Sequence, residues 1–115
     1  MIHMEENCVF CRIVRGEIPA TKVFENEHVI AIRDINPKAR VHILVIPKKH
    51  IRSINQLTAE DTPLLGEVFS AIRRVAEQEG IAESGYSTLI NTGHDGGQTV
   101  FHIHFHILGG EKMPW

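Results

Sequence analysis

Three histidines, His102, His104 and His106, alternate with Phe101, Ile103, Phe105 and Ile107 near the end of the 115-residue chain. Imidazole, with an ordinary pKa of about 6.5, can serve near neutral pH as acid, base, nucleophile or metal ligand. An affinity tag is polar throughout, whereas this run is interleaved with Ile and Phe and continues to Gly109-Gly110, so that reading fails. A His-x-His pair on a strand can chelate one zinc, so metal binding and acid, base or nucleophilic work both stay open. Both cysteines fall in Cys8-Val9-Phe10-Cys11. In a reducing compartment such a pair is a metal half-site or a redox pair more often than a structural disulfide. Thr92-Gly93-His94-Asp95-Gly96-Gly97 adds successive glycines whose uncovered backbone N–H groups suit close approach of an anion.

These groups need elements to hold them. Alternation with period two predicts one strand over Gln98–Leu108, with His102, His104 and His106 on one face and Ile103, Phe105 and Ile107 buried on the other. Apolar residues at positions 9, 10, 13 and 14 predict a short helix ending near Gly16. Lys22–Glu25 and His28–Arg33 read as a hairpin around Asn26-Glu27, and Asp34-Ile35-Asn36-Pro37-Lys38 as a turn. Val41–Ile46 is an apolar strand ended by Pro47, and its unbroken hydrophobicity predicts a central position with both faces covered. His42 is its only polar side chain. Thr58 with Glu60 and Asp61 predicts a capped start to the main helix, whose stripe of Leu64, Leu65, Val68, Phe69, Ile72, Val75 and Ala76 faces the core until Gly80. Glu67, Arg73, Arg74, Glu77 and Glu79 form its solvated face, and Tyr86–Asn91 is a further strand. This order predicts a single α+β domain, residues 1–115, around an antiparallel sheet.

Composition narrows the function. Hydrophobic residues at 43% and charged residues at 23% match an ordinary globular chain, which argues against disorder and membrane spans. A net charge of −2 without a Lys/Arg block argues against nucleic acid polymers as partners and favours a small ligand. The polar, acidic start Met1-Ile2-His3-Met4-Glu5-Glu6-Asn7 predicts no secretory signal and hence a cytoplasmic location.

The His-x-His-x-His run, Ile18-Pro19-Ala20, the stretch from His42 through Pro47 to Ile51, and Asn91 through Gly110 together resemble the histidine triad (HIT) family, in particular its Hint branch of purine nucleoside phosphoramidases. The resemblance spans nearly the whole chain. It implies a five-stranded antiparallel sheet with one long and one short N-terminal helix, in a homodimer whose sheets run together. It implies a purine nucleotide ligand of AMP or GMP type and cleavage through a nucleotidyl-histidine intermediate, with His104 the nucleophile and His42 completing the imidazole network. Phosphate contacts would come from Asn91, Gly97, Gln98, Thr99 and His106; ribose contacts from Asp34 and Ile35; and a base pocket from Phe10, Ile13 and Ile32. It further implies structural zinc on Cys8, Cys11, His50 and His102, with no catalytic metal. Two other activities fit the same resemblance: hydrolysis of dinucleoside polyphosphates, and a regulatory AMP-binding role with little turnover. Thr99 stands where serine is common, His94 where a small polar residue is common, and the tail Met113-Pro114-Trp115 bears on leaving-group preference.

Overall fold

A computed structural model describes residues 7–115, so the N-terminal stretch read for a secretory signal lies, but for Asn7, outside the described residues. Helix α1 (Val9–Val14) is followed by β1 (Lys22–Glu25), β2 (Val29–Arg33) and β3 (Val41–Pro47). Two 3-10 turns, Ile54–Gln56 and Ala59–Asp61, lead into α2 (Thr62–Gln78), and β4 (Tyr86–Leu89) and β5 (Phe105–Gly109) complete the order. The strands form one antiparallel sheet, ordered β1-β2-β3-β5-β4. The α+β architecture, the hairpin and the central β3 agree with the sequence reading.

Side-chain alternation on β2, β3 and β5 divides the sheet into two faces. Val29, Ala31, Ile43, Val45, Phe105 and Ile107 point to α2, whose Val68, Ala71, Ile72, Val75 and Ala76 complete the larger core. Ile30, Ile32, Leu44 and Ile46 point the other way, against Phe10 of α1. The functional face therefore carries a small core of its own. α2 closes at Gly80 (φ +74), where Ile81 N–H donates to Ala76 C=O (3.0 Å) and Gly80 N–H to Glu77 C=O (3.2 Å). A residue in the left-handed conformation is needed there, which glycine supplies without a Cβ clash.

Two expectations are corrected. The histidine stretch is not one strand from Gln98: β5 begins at Phe105. Residues 98–104 are pinned instead to the connection after β3, with Ile103 N–H donating to Ile51 C=O (2.7 Å), His102 Nε2–H to Pro47 C=O (2.7 Å) and the Gln98 amide to Arg52 C=O (2.8 Å). His102 therefore turns away from the other two rings. Phe69, placed in the core stripe of α2, is 52% exposed and meets the sheet only edge-on against Phe105, at 5.9 Å between ring centres. It sits on the flank of the stripe.

Candidate active site

The register of β3 on β5 builds the centre of the site. His42 lies opposite Leu108 and His106 opposite Leu44, so the two histidines are diagonal neighbours on one face. Their rings meet with His42 Nε2 2.9 Å from His106 Nδ1. His104, just before β5, packs its ring 5.1 Å from that of His106.

Backbone partners fix the tautomer of each ring. The Lys38 N–H can only donate, and it donates to His42 Nδ1 at 3.0 Å, so in a neutral ring the proton sits on Nε2. His42 Nε2–H then donates to His106 Nδ1, which leaves His106 with an Nε2–H donor. A carbonyl can only accept, and His102 C=O lies 2.7 Å from His104 Nδ1, so that nitrogen carries the proton and Nε2 keeps the lone pair. By the same rule Pro47 C=O holds the proton of His102 on Nε2, and Nδ1 keeps the lone pair. Burial, which disfavours the charged ring, lowers the pKa of all four histidines, to about 4 for His102 and for His106, where neighbouring histidine charges add to it. All four are neutral at pH 7.

Two cavities meet at His104 and His106. One, of about 710 Å³, is lined by Asp34, His42, Asn91, Gly97 and Thr99, with Asn36, Lys38, Leu89, Leu108 and the tail residues 111–115. The other, of about 370 Å³, is largely apolar and contains Phe10, Ile13, Ile32, Asp34, Ile35 and Thr99, with Ile18, Pro19, Ala20, Leu44 and Val100. Every residue expected at a nucleotide site except Gln98 lines one or both. Gln98 is buried: its side-chain oxygen accepts from Gly93 N–H (2.9 Å) and its amide donates to Arg52 C=O and Val100 C=O, so the side chain braces the loop from behind. Asn91 also braces it, donating to Gly96 C=O at 2.8 Å. Asp34 accepts from Asn36 N–H (2.8 Å) with one oxygen and turns the other toward His42 Nε2 (3.4 Å), so it is more than a turn former.

Sequence reasoning missed the Lys38 N–H and Pro47 C=O, because backbone groups carry no residue-type signal. It gave the tail a bearing on leaving-group preference but not its anchorage, in which Trp115 donates its indole N–H to Ser87 Oγ (3.0 Å) and Glu111 accepts from Arg40 N–H (2.7 Å).

Cys8, Cys11, His50 and His102 bring one donor atom each within 4.8 Å of one another, a group that could hold a metal ion. The observed edges are 3.2 Å for Cys8 Sγ to His102 Nδ1, 3.4 and 3.5 Å for Cys11 Sγ to His50 Nδ1 and His102 Nδ1, and 3.1 Å between the two Nδ1 atoms. Zinc at about 2.3 Å from sulfur and about 2.0–2.1 Å from nitrogen requires tetrahedral edges of roughly 3.3–3.8 Å, so the set fits with small adjustments. His102 presents the lone pair on the correct nitrogen. Asp34, His42 and His106 form a second cluster of donor atoms, but it fits a metal poorly. Binding at His42 Nε2 would remove the ring proton and break either the neutral state or the Lys38 hydrogen bond.

A sheet of this topology with a His-x-His-x-His segment at its cavity mouth defines a histidine triad domain, and comparisons agree. The family model described as scavenger mRNA decapping enzyme C-term binding matches residues 7–115. An uncharacterised HIT-like protein of Synechococcus elongatus is 49% identical over 112 residues, covering 97% of each chain. The purine nucleoside phosphoramidase of Escherichia coli is 46% identical over 110 residues, covering 96% of this chain and 92% of the relative. A solved HIT family hydrolase from Clostridium thermocellum superposes with a TM-score of 0.95 at 48% identity over 97% of both chains. One from Legionella pneumophila does so with a TM-score of 0.93 at 49% identity, over 95% of this chain and 97% of that one. The chain belongs to the histidine triad family. Among the described residues no helix is long and apolar enough to cross a membrane.

Proposed function

We propose that the protein hydrolyses purine nucleoside phosphoramidates or related nucleotidyl conjugates to the nucleoside monophosphate. His104 attacks phosphorus through Nε2 and displaces the amine; water then displaces His104 from the nucleotidyl group. Two in-line displacements give retention at phosphorus and divide one hard step into two easier ones. The observation that carries this reading is the tautomer chain: a neutral His104 with its lone pair on Nε2, beside a His106 whose Nε2–H is available to a phosphoryl oxygen. Preset donors of this kind stabilise developing charge without reorganising at the moment of reaction. The apolar cavity suits a purine, Asp34 at the junction suits the ribose hydroxyls, and the loop around Gly97 with Thr99 suits the phosphate.

Zinc on Cys8, Cys11, His50 and His102 belongs to the same proposal. It would supply a closed structural crosslink, since two sulfur and two nitrogen donors leave no open position. A homodimer is proposed too, because β4 is an edge strand carrying Leu89 (40% exposed), and Phe69 (52%) leaves apolar surface on α2. A cytoplasmic location accords with two cysteines kept as thiols.

Hydrolysis of adenosine 5′-phosphoramidate by the wild type and by His104→Ala, with diadenosine polyphosphate as competitor substrate, tests the activity. Turnover of the phosphoramidate by wild type alone is expected. Preference for the polyphosphate would assign the sister activity, and AMP binding without turnover a regulatory role.

A further inference from the structure

The ring of His104 is held by two supports, one from a member of the cysteine and histidine cluster and one from a residue between its two cysteines. One is the backbone carbonyl of His102, which accepts from His104 Nδ1–H at 2.7 Å while the His102 ring turns its Nδ1 toward the cysteines. The other is Phe10. It lies between Cys8 and Cys11, is 6% exposed, and sets its ring edge-on to His104 at 5.0 Å and 82°. The same ring also meets His102 at 5.9 Å and 77° and lines the apolar cavity. The turn that presents Phe10 is tightened by the cluster, with Cys11 N–H donating to Cys8 Sγ at 3.3 Å. None of Cys8, Cys11, His50 and His102 lines either cavity. A ligand bound in the cavities would therefore not touch the cluster, yet one support of the nucleophile is the backbone of a cluster residue and the other is the neighbour of one.

We propose that the bound metal positions His104 and the base pocket, acting through the His102 carbonyl and the Phe10 ring, in addition to tying α1 to the sheet. The inference rests on the zinc and nucleotide readings above. A mere staple would change stability on metal loss but leave AMP affinity and the His104 ring as they were. A positioning cluster changes both while the fold persists, because a ring whose supports shift loses its tautomer and its orientation.

His50 offers the test, since it lies outside both cavities and meets the cluster at the His102 ring, Nδ1 to Nδ1 at 3.1 Å. Zinc content by elemental analysis, AMP affinity by calorimetry and His104 ring signals by nitrogen-15 NMR are measured for wild type, His50→Ala and His50→Cys. The expected result is zinc loss in His50→Ala with roughly ten-fold weaker AMP binding and shifted His104 signals. In His50→Cys all three return, since three sulfurs and one nitrogen also make a closed zinc set. Zinc-free His50→Ala with wild-type AMP affinity and unmoved His104 signals would overturn the inference alone. Wild type that takes up no zinc overturns the metal reading and this inference with it; zinc-loaded wild type that ignores AMP overturns the nucleotide reading and this inference with it. Phe10→Leu, which keeps all four ligands, is the second variant should His50→Ala not fold. It is expected to keep its zinc and still move the His104 ring signals in the absence of AMP, and unmoved signals there would overturn the coupling.

Discussion

His42 can be divided into its two hydrogen-bonding halves. Asparagine places an oxygen where Nδ1 stands and glutamine places an N–H where Nε2 stands, so His42→Asn keeps the acceptor for Lys38 N–H and His42→Gln keeps the donor to His106. Each variant gives up one hydrogen bond of a side chain that is 5% exposed, the 3.0 Å bond from Lys38 in one case and the 2.9 Å bond to His106 in the other. A neutral bond of this kind contributes about 1 kcal/mol net, so both variants lose similar stability, about 4 °C in Tm for a domain of this size. Their activities should diverge. With the donor gone, His106 is free to move its proton to Nδ1 and turn a lone pair toward the phosphoryl oxygen. Loss of such an orienting partner lowers activity about 10–100-fold, or about 1.4–2.7 kcal/mol of barrier. His42→Gln should stay within about three-fold of wild type, under ~0.7 kcal/mol. The assay is kcat/KM on adenosine phosphoramidate beside thermal unfolding of the same samples. Equal losses in the two variants, or a more active Asn variant, would refute the tautomer chain.

Acid should destabilise the fold in a window set by the buried histidines. The folded pKa of His106, about 4, lies below the ordinary value of 6.5, so the unfolded chain takes up the proton first. Stability is then full above about pH 6.5 and declines as pH falls toward about 4, the sign required when the unfolded state binds more protons. A Tm that is flat between pH 7 and 5 would contradict this. Asp61, 3% exposed, accepts from Thr58 N–H (2.9 Å) and Lys49 Nζ (2.6 Å), so Asp61→Ala should cost about 1–2 kcal/mol by denaturant titration, and more than Lys49→Ala. Phe69→Asp should shift the mass measured by light scattering from dimer to monomer, and an unchanged dimer would remove Phe69 from the interface.

Much of the site was legible because it follows from residue type and period. Ile103, Phe105 and Ile107 do enter the α2 core, and Cys8, Cys11, His50 and His102 do converge. The start of β5 was not legible, since the stretch reads as a strand from Gln98 while Ile103 N–H bonds to Ile51 C=O and the His102 ring to Pro47 C=O in place of a regular strand ladder. The period-two pattern predicted a strand there, and tertiary hydrogen bonds overrode it. Phe69 was misplaced because helical spacing locates a stripe but not its edges, and nothing in the sequence signals that the Gln98 side chain turns inward to brace the loop. The tautomers were beyond any sequence reading, since they depend on the backbone of Lys38, Pro47 and His102.

Rapid acid-free quenching of the enzyme during turnover of an adenosine phosphoramidate, followed by peptide mass spectrometry, tests whether His104 is the nucleophile. An adenylyl group on the imidazole of His104, present during turnover and absent in His104→Ala together with activity, is the predicted result. Turnover that persists in His104→Ala, or an adduct found on His102 or His106 instead, would contradict it.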